Sequence, residues 1–292
     1  MNDSTESPNL NLWEQPGWRS RLLIFIQIVV SSLYLQWIFL RYIRLRLRFF
    51  VRGRAFGWIH FKPESFQDES ARRFARAVAE GRVSTALHLA SALPAGVNTI
   101  APDGVTALLL AINHLDKRMV RALLEAGANP NGAQELAPLA LAISLKKLSL
   151  AQILLESGAD PNGRMQSKSA LCLAAFSGNL QAAELLLQYH ADPDLGDEFN
   201  APPAFEAALK QNWRFVLRML NSGASLWTVD THGITLGYWA HKSRINPAGL
   251  EGHAHAQVVS RLKAAEFPWP PPSPKEVARL RDQGQWPPTQ MQ

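Results

Sequence analysis

Cysteine occurs once in this 292-residue chain, at Cys172. One thiol excludes an intramolecular disulfide and a Cys-rich zinc site, and it leaves the compartment open. Also missing are a glycine-rich phosphate loop, a nucleophile elbow, a His-Glu-x-x-His helix and a carboxylate pair of readable geometry. The chain is therefore read as non-catalytic, with no cofactor and no metal. The pair His253 and His255 has no neighbouring Cys or acid to complete a ligand set, so it reads as exposed loop.

Acids are absent from residues 41–62, which carry seven Lys or Arg, while residues 63–292 hold 21 basic and 21 acidic residues. The formal excess of +6 thus comes from one short segment. A neutral main domain offers no basic stripe for phosphates, which argues against nucleic acid as its partner.

Charge of either sign is absent from residues 22–40, "LLIFIQIVVSSLYLQWIFL", in which thirteen of nineteen are Leu, Ile, Val or Phe. As a helix this run is roughly 28 Å long, close to the ~30 Å hydrocarbon layer of a bilayer. A buried core helix would carry a polar face, and a cleaved leader would end at a small-residue site, whereas this run continues into "RYIRLRLRFFVRGR". A single transmembrane helix is the expectation. Two Lys or Arg precede it and seven follow, so the positive-inside rule puts the N-terminus outside and the C-terminal domain in the cytoplasm. Arg41, Arg44, Arg46, Arg48, Arg52 and Arg54 then lie on anionic headgroups, with Leu and Phe interleaved among them. The excess of Arg over Lys suggests a GC-rich bacterial genome, and hence an inner-membrane location.

What is present downstream is a repeat. "LLEAGANPN" begins at Leu123, "LLESGADPN" at Leu154, "LLQYHADPD" at Leu186 and "MLNSGASLW" at Met219. Seventeen positions before each stands a second anchor: Thr106, Ala137, Ser169 and Pro202. Each unit reads as two short helices and a loop, with Leu108, Ala111 and Ile112 on one helix face and Val120, Leu123 and Leu124 on the next. The Gly of "GAN" and "GAD" supplies a left-handed C-cap. Such a unit buries its apolar face only by stacking on a neighbour.

These motifs resemble the ankyrin repeat. The Thr-Pro-Leu-His box is matched in part by Thr106-Ala107-Leu108-Leu109, Ala137-Pro138-Leu139-Ala140 and Ser169-Ala170-Leu171-Cys172. No repeat keeps the box His, which in the family ties adjacent loops together, so stability here should lean on apolar packing. The resemblance implies an all-α helical repeat solenoid of five to six repeats. The expected organisation is an N-terminal tail (1–21), the transmembrane helix (22–40), a basic aromatic juxtamembrane segment (41–66), the repeat domain (67–266) and a Pro-rich tail with a short capping helix (267–292).

A degenerate first repeat begins near Ala75, and a last one near Asp230. In the last, Val259 and Leu262 take the places of Val120 and Leu123, after an insertion over residues 243–255 that is either a working face or a tolerated loop. The tail's Ser273, Pro274 and Glu276 mark a helix start, so the tail is either a cap or a Pro-rich ligand. Cys172 is read as a buried thiol rather than a nucleophile.

The resemblance further implies a protein partner on a concave face made of loop fingers and first helices. Position by position, the fingers are Asp103, Gln134, Glu135, Gln166, Lys168, Glu198, Phe199, Thr231 and His232, with Trp227 at the root of one. Phe199 and Trp227 are the aromatic candidates for an anchor, Trp227 equally for packing on the cap. The functional expectation is a membrane-anchored scaffold, adaptor or regulator. The alternative is an inhibitor or immunity protein that neutralises a toxin, or an exported effector.

Overall fold

The structure, a computed structural model, describes residues 61–133 and 135–288. The expected transmembrane helix and the six arginines after it lie outside the described residues. Among the described residues no helix is long and apolar enough to cross a membrane.

The compact unit that begins at Phe61 is built from helix pairs. Repeat 1 holds α1 (Glu69–Ala79) and α2 (Val83–Ser91), and repeat 2 holds α3 (Ala107–Asn113) and α4 (Lys117–Glu125). Repeat 3 holds α5 (Pro138–Ser144) and α6 (Leu148–Glu156), and repeat 4 holds α7 (Ala170–Ser177) and α8 (Leu180–Gln188). Repeat 5 holds α9 (Pro203–Leu209) and α10 (Trp213–Asn221), repeat 6 holds α11 (Leu236–Lys242) and α12 (Leu250–Ala264), and α13 (Pro274–Asp282) follows. The only sheet among the described residues is a short antiparallel hairpin, β1 (Arg164–Met165) with β2 (Lys168–Ser169).

The anchor seventeen residues before each Leu-Leu motif is the N-cap of a first helix. Thr106, Ser169 and Thr235 each accept a backbone N–H three residues on, from Leu109, Cys172 and Tyr238. Ala137 and Pro202 have no oxygen to offer, and in both repeats a proline follows at the first helical position. Its preset φ and missing N–H suit that place.

First helices pack in one row and second helices in another behind it; the first-helix row is the closer packed through repeats 1 to 5, and between repeats 5 and 6 the second helices α10 and α12 are the closer pair. Alanine makes close approach possible: Ala111, Ala142, Ala174 and Ala207 are wholly buried. The repeat leucines Leu123, Leu154 and Leu186, together with Met219, show no exposed surface. The first helices are buried well beyond the one face that periodicity marks, because every residue of 107–112, 138–143, 170–175 and 203–208 is buried. Cys172 is among them, and its Sγ lies 3.5 Å from the Leu195 carbonyl.

The missing box His does not leave the repeats joined by apolar packing alone. The "DPN" turns form a polar ladder. Asn98 Oδ1 accepts the Asn129 N–H at 2.7 Å, Asn131 that of Asp160 at 2.6 Å, and Asn162 that of Asp192 at 2.8 Å. Asp194 continues it by accepting from Ser225 at 2.9 Å. Burial raises the Asp194 pKa above the usual carboxylate value and the nearby Asp192 charge adds to this, while the Ser225 hydrogen bond opposes it.

Two details of repeat 6 differ from the sequence reading. Val258, not Val259, is the wholly buried partner of Leu262. Much of the expected loop insertion is helix, since α12 starts at Leu250 and carries both histidines. His253 is exposed, while His255 sits on the Ala240 carbonyl (2.8 Å) and edge-on to the Trp213 ring (4.7 Å between centroids). Residues two apart on a helix point to different sides, so the pair does not converge.

The tail packs on repeat 6 as a cap. Val277 of α13 is wholly buried, the Arg281 guanidinium donates to the Asp230 carbonyl (2.8 Å), and Trp286 Nε1 donates to the Trp227 carbonyl (3.1 Å). Gly233 shows how close the approach is: a Cβ there would collide with the Pro274 carbonyl oxygen.

Candidate functional site

Each finger is the loop between a second helix and the next first helix, closed by isolated bridges such as Ile100 with Thr106 and Val229 with Thr235. In the fingers of repeats 5 and 6 a buried aspartate builds the turn. Asp197 Oδ1 accepts from the N–H groups of Phe199 (3.0 Å) and Ala201 (3.1 Å). Asp230 Oδ1 does the same for His232 (2.9 Å) and Ile234 (2.8 Å). A carboxylate holding two N–H groups presents the residue two positions on at the turn tip, which places Phe199 and His232 there. The Phe199 carbonyl accepts the Thr231 N–H at 2.9 Å, and the two rings stand 5.5 Å apart at 48°. Phe199 is half-buried, while Glu198, Thr231 and His232 are exposed around it.

The other predicted residues divide. Glu135 and Gln166 are exposed on neighbouring fingers, linked by the Gln166 N–H to the Glu135 carbonyl (3.2 Å) and by the Ser167 N–H to the Glu135 carboxylate (3.1 Å). Gln134 lies outside the described residues. Asp103 is exposed and accepts the Val105 N–H.

Two candidates are committed inward. The Lys168 side chain is only 18% exposed and its Nζ lies 3.4 Å from Asp197, which is 3% exposed, so Lys168 braces one finger on the next. Trp227 stacks on Phe267 (4.8 Å, 27°) and meets Trp286 edge-on (5.8 Å). Its indole belongs to the cap, not to a finger tip.

The sequence reading passed over Asp197 and Asp230, which set the tips. Their signal was available: "DEFNA" and "DTHGI" share an aspartate and stand 33 residues apart. The neutral charge total of residues 63–292 leaves open which face each charge occupies. The turns that join first helix to second in repeats 2, 3, 5 and 6 each carry or adjoin an exposed lysine or arginine (Lys117, Lys146, Lys147, Lys210, Lys242 and Arg244), and the exposed acids Asp103, Glu135 and Glu198 stand on fingers. Among the described residues no group of three or more His, Cys, Asp or Glu is placed to hold a metal ion.

Residues 74–165 match the family model for ankyrin repeats, in three copies, and residues 167–198 match the model for a single ankyrin repeat. A search of curated proteins gives no match to this chain. Repeats 5 and 6 extend the same helix-pair pattern beyond the matched stretch. Residues 74–198 are ankyrin repeats, and through them the chain carries a protein–protein interaction module.

Proposed function

We propose that the module captures a protein partner on its finger row, with Phe199 as the anchor and Glu135, Gln166, Glu198, Thr231 and His232 as the polar rim. One observation carries this reading: a half-exposed aromatic stands on a finger whose backbone is fixed on both sides, by Asp197 and by the Thr231 N–H. A pre-ordered aromatic loses little entropy on binding, and aromatics of this kind often dominate interface energy. The first helices, being buried, supply little to this face.

The protein acts without catalysis, as a scaffold or regulator held at a membrane by residues 22–40, with the repeats on the cytoplasmic side. The uncharged run and the arginines after it support that part of the reading. A cysteine introduced near Ser4 should label from outside intact cells, and labelling of the repeat domain from outside would overturn the orientation.

For the anchor, Phe199→Ala and Phe199→Glu should each weaken capture of the co-purified partner by more than about 1 kcal/mol, and leave the melting temperature nearly unchanged. Wild-type binding by both variants, or a collapse of stability in either, would remove Phe199 from the site.

A further inference from the structure

Between the two helices of each repeat the chain reverses in a tight turn, and these turns form one edge of the solenoid. Neighbouring turns touch. A Cβ on Gly81 would meet Asp116 at 2.9 Å, Lys210 of repeat 5 places its Nζ 3.5 Å from the centroid of the Phe176 ring of repeat 4, and Ser243 Oγ donates to Gln211 at 2.6 Å. These contacts join the turn of repeat 1 to that of repeat 2 and run on from repeat 4 to repeat 6.

Its composition is unlike the rest of the described surface. The turns of repeats 2 to 6, with two residues on either side, hold Lys117, Arg118, Lys146, Lys147, Lys210, Arg214, Lys242 and Arg244, all exposed, against two half-buried acids, Asp116 and Glu251, the latter accepting the Arg214 N–H. Asp116 is already occupied as an N-cap, accepting from the N–H groups of Arg118 and Met119. Four large hydrophobic side chains stand exposed among the described residues, and three of them are on this edge: Leu115 at 42%, Phe176 at 41% and Leu250 at 73%. Leu250 follows directly on the inserted loop of repeat 6, so the insertion ends in the most exposed apolar side chain of the four.

We infer that this turn edge is a peripheral membrane-binding surface for an anionic bilayer. The lysines and arginines other than Lys210, whose Nζ is held by Phe176, pair with anionic headgroups, and Leu115, Phe176 and Leu250 sink to the headgroup–acyl boundary. The combination decides the partner. Cations alone would suit any polyanion, but a phosphodiester backbone offers nothing to exposed Leu and Phe side chains, whereas a bilayer interface rewards their burial at about 25 cal/mol per Å². Cations near such a surface add about 1 kcal/mol each. The surface is separate from the finger row and does not rest on the protein-binding reading. It also needs no span at residues 22–40, since its residues all belong to the repeats.

The test follows position-specific probes on the full chain, so that membrane attachment through any other segment does not decide the result. An environment-sensitive fluorophore is placed on Leu250→Cys and, separately, on Leu115→Cys, with Glu135→Cys on a finger as reference; Cys172 is buried and does not label. Each protein is mixed with phosphatidylcholine vesicles, with or without phosphatidylglycerol. The expected result is a blue shift at both turn probes, with quenching by brominated acyl chains, only when phosphatidylglycerol is present. The Glu135 probe should not change, and inorganic phosphate alone should shift none of them. Lys146→Glu with Lys147→Glu should lower the apparent affinity for anionic vesicles by at least about five-fold per residue, and high salt should reverse the shift. Turn probes that stay in water on anionic vesicles would overturn the inference. So would an equal shift of the Glu135 probe, which means indiscriminate adsorption, or a shift on duplex DNA without vesicles, which means a nucleic-acid surface.

Discussion

The Asn ladder between repeats can be weighed one rung at a time. Asn131→Ala removes the acceptor of the Asp160 N–H, and Asn162→Ala that of the Asp192 N–H. Neither change disturbs its own turn, because the Asn131 and Asn162 N–H groups donate to Asn129 and Asp160, which remain. Asn131, Asp160 and Asp192 are exposed and Asn162 half-buried, so water replaces the lost partner and no buried-donor penalty is added. The loss per rung is then the net worth of one hydrogen bond, about 1 kcal/mol. For a folded unit of this size that corresponds to a fall of about 2–4 °C in melting temperature. The rungs serve different interfaces, so the double variant should lose about 2 kcal/mol, additive to within about 0.5. Because each repeat touches only its neighbours, the double variant should also unfold over a broader urea range, with a lower apparent m-value. Urea and thermal melts followed by circular dichroism measure both quantities. Wild-type stability in the double variant would show that apolar packing alone joins the repeats. A loss above about 3 kcal/mol from one rung would show that the turn itself had been disrupted.

Asp194 is the one ladder position held by a carboxylate rather than an amide, and its pKa is raised. A carboxyl whose folded pKa exceeds its unfolded one contributes stability that is complete below the unfolded pKa and lost as pH rises through the folded pKa. Asp194→Asn keeps the acceptor for Ser225, so it should stabilise the protein at neutral pH and shrink the gain seen in wild type on acidification through the carboxylate range; an unchanged pH–stability profile would refute this. His190 has φ +63° where repeats 2, 3 and 5 place Gly127, Gly158 and Gly223, so His190→Gly should raise stability by about 0.5–1 kcal/mol in a urea melt. Leu154→Ala removes a side chain with no exposed surface and should cost about 2–5 kcal/mol by the same assay.

Much of the fold was legible because its information is local and recurs. A helix, its cap and its apolar face are encoded within one repeat, and the spacing from Thr106 to Leu123 or from Ser169 to Leu186 reports the same N-cap and the same core position each time. Where the period breaks, the reading slipped: the lengthened α12 moves the core valine from Val259 to Val258 and carries His253 and His255 on a helix instead of a loop. The candidate site was legible in part. Phe199 was found because an aromatic among polar finger residues stands out, whereas Lys168 and Trp227 looked equally available until their partners, Asp197 and the Phe267–Trp286 cap, were in place.

By itself the sequence determined the repeats, their helices and the leucines that each repeat buries, since those depend on neighbours a few residues away. Tertiary structure decided which polar groups meet across repeats. Asn131 finds Asp160, Lys168 finds Asp197, and the turns of repeats 2, 3, 5 and 6 bring exposed lysines and arginines to the edge on which Leu115, Phe176 and Leu250 also stand exposed. Such pairings join residues about thirty positions apart, and stacking alone brings them together: a neutral charge total says nothing of which face each charge will occupy once the repeats are packed.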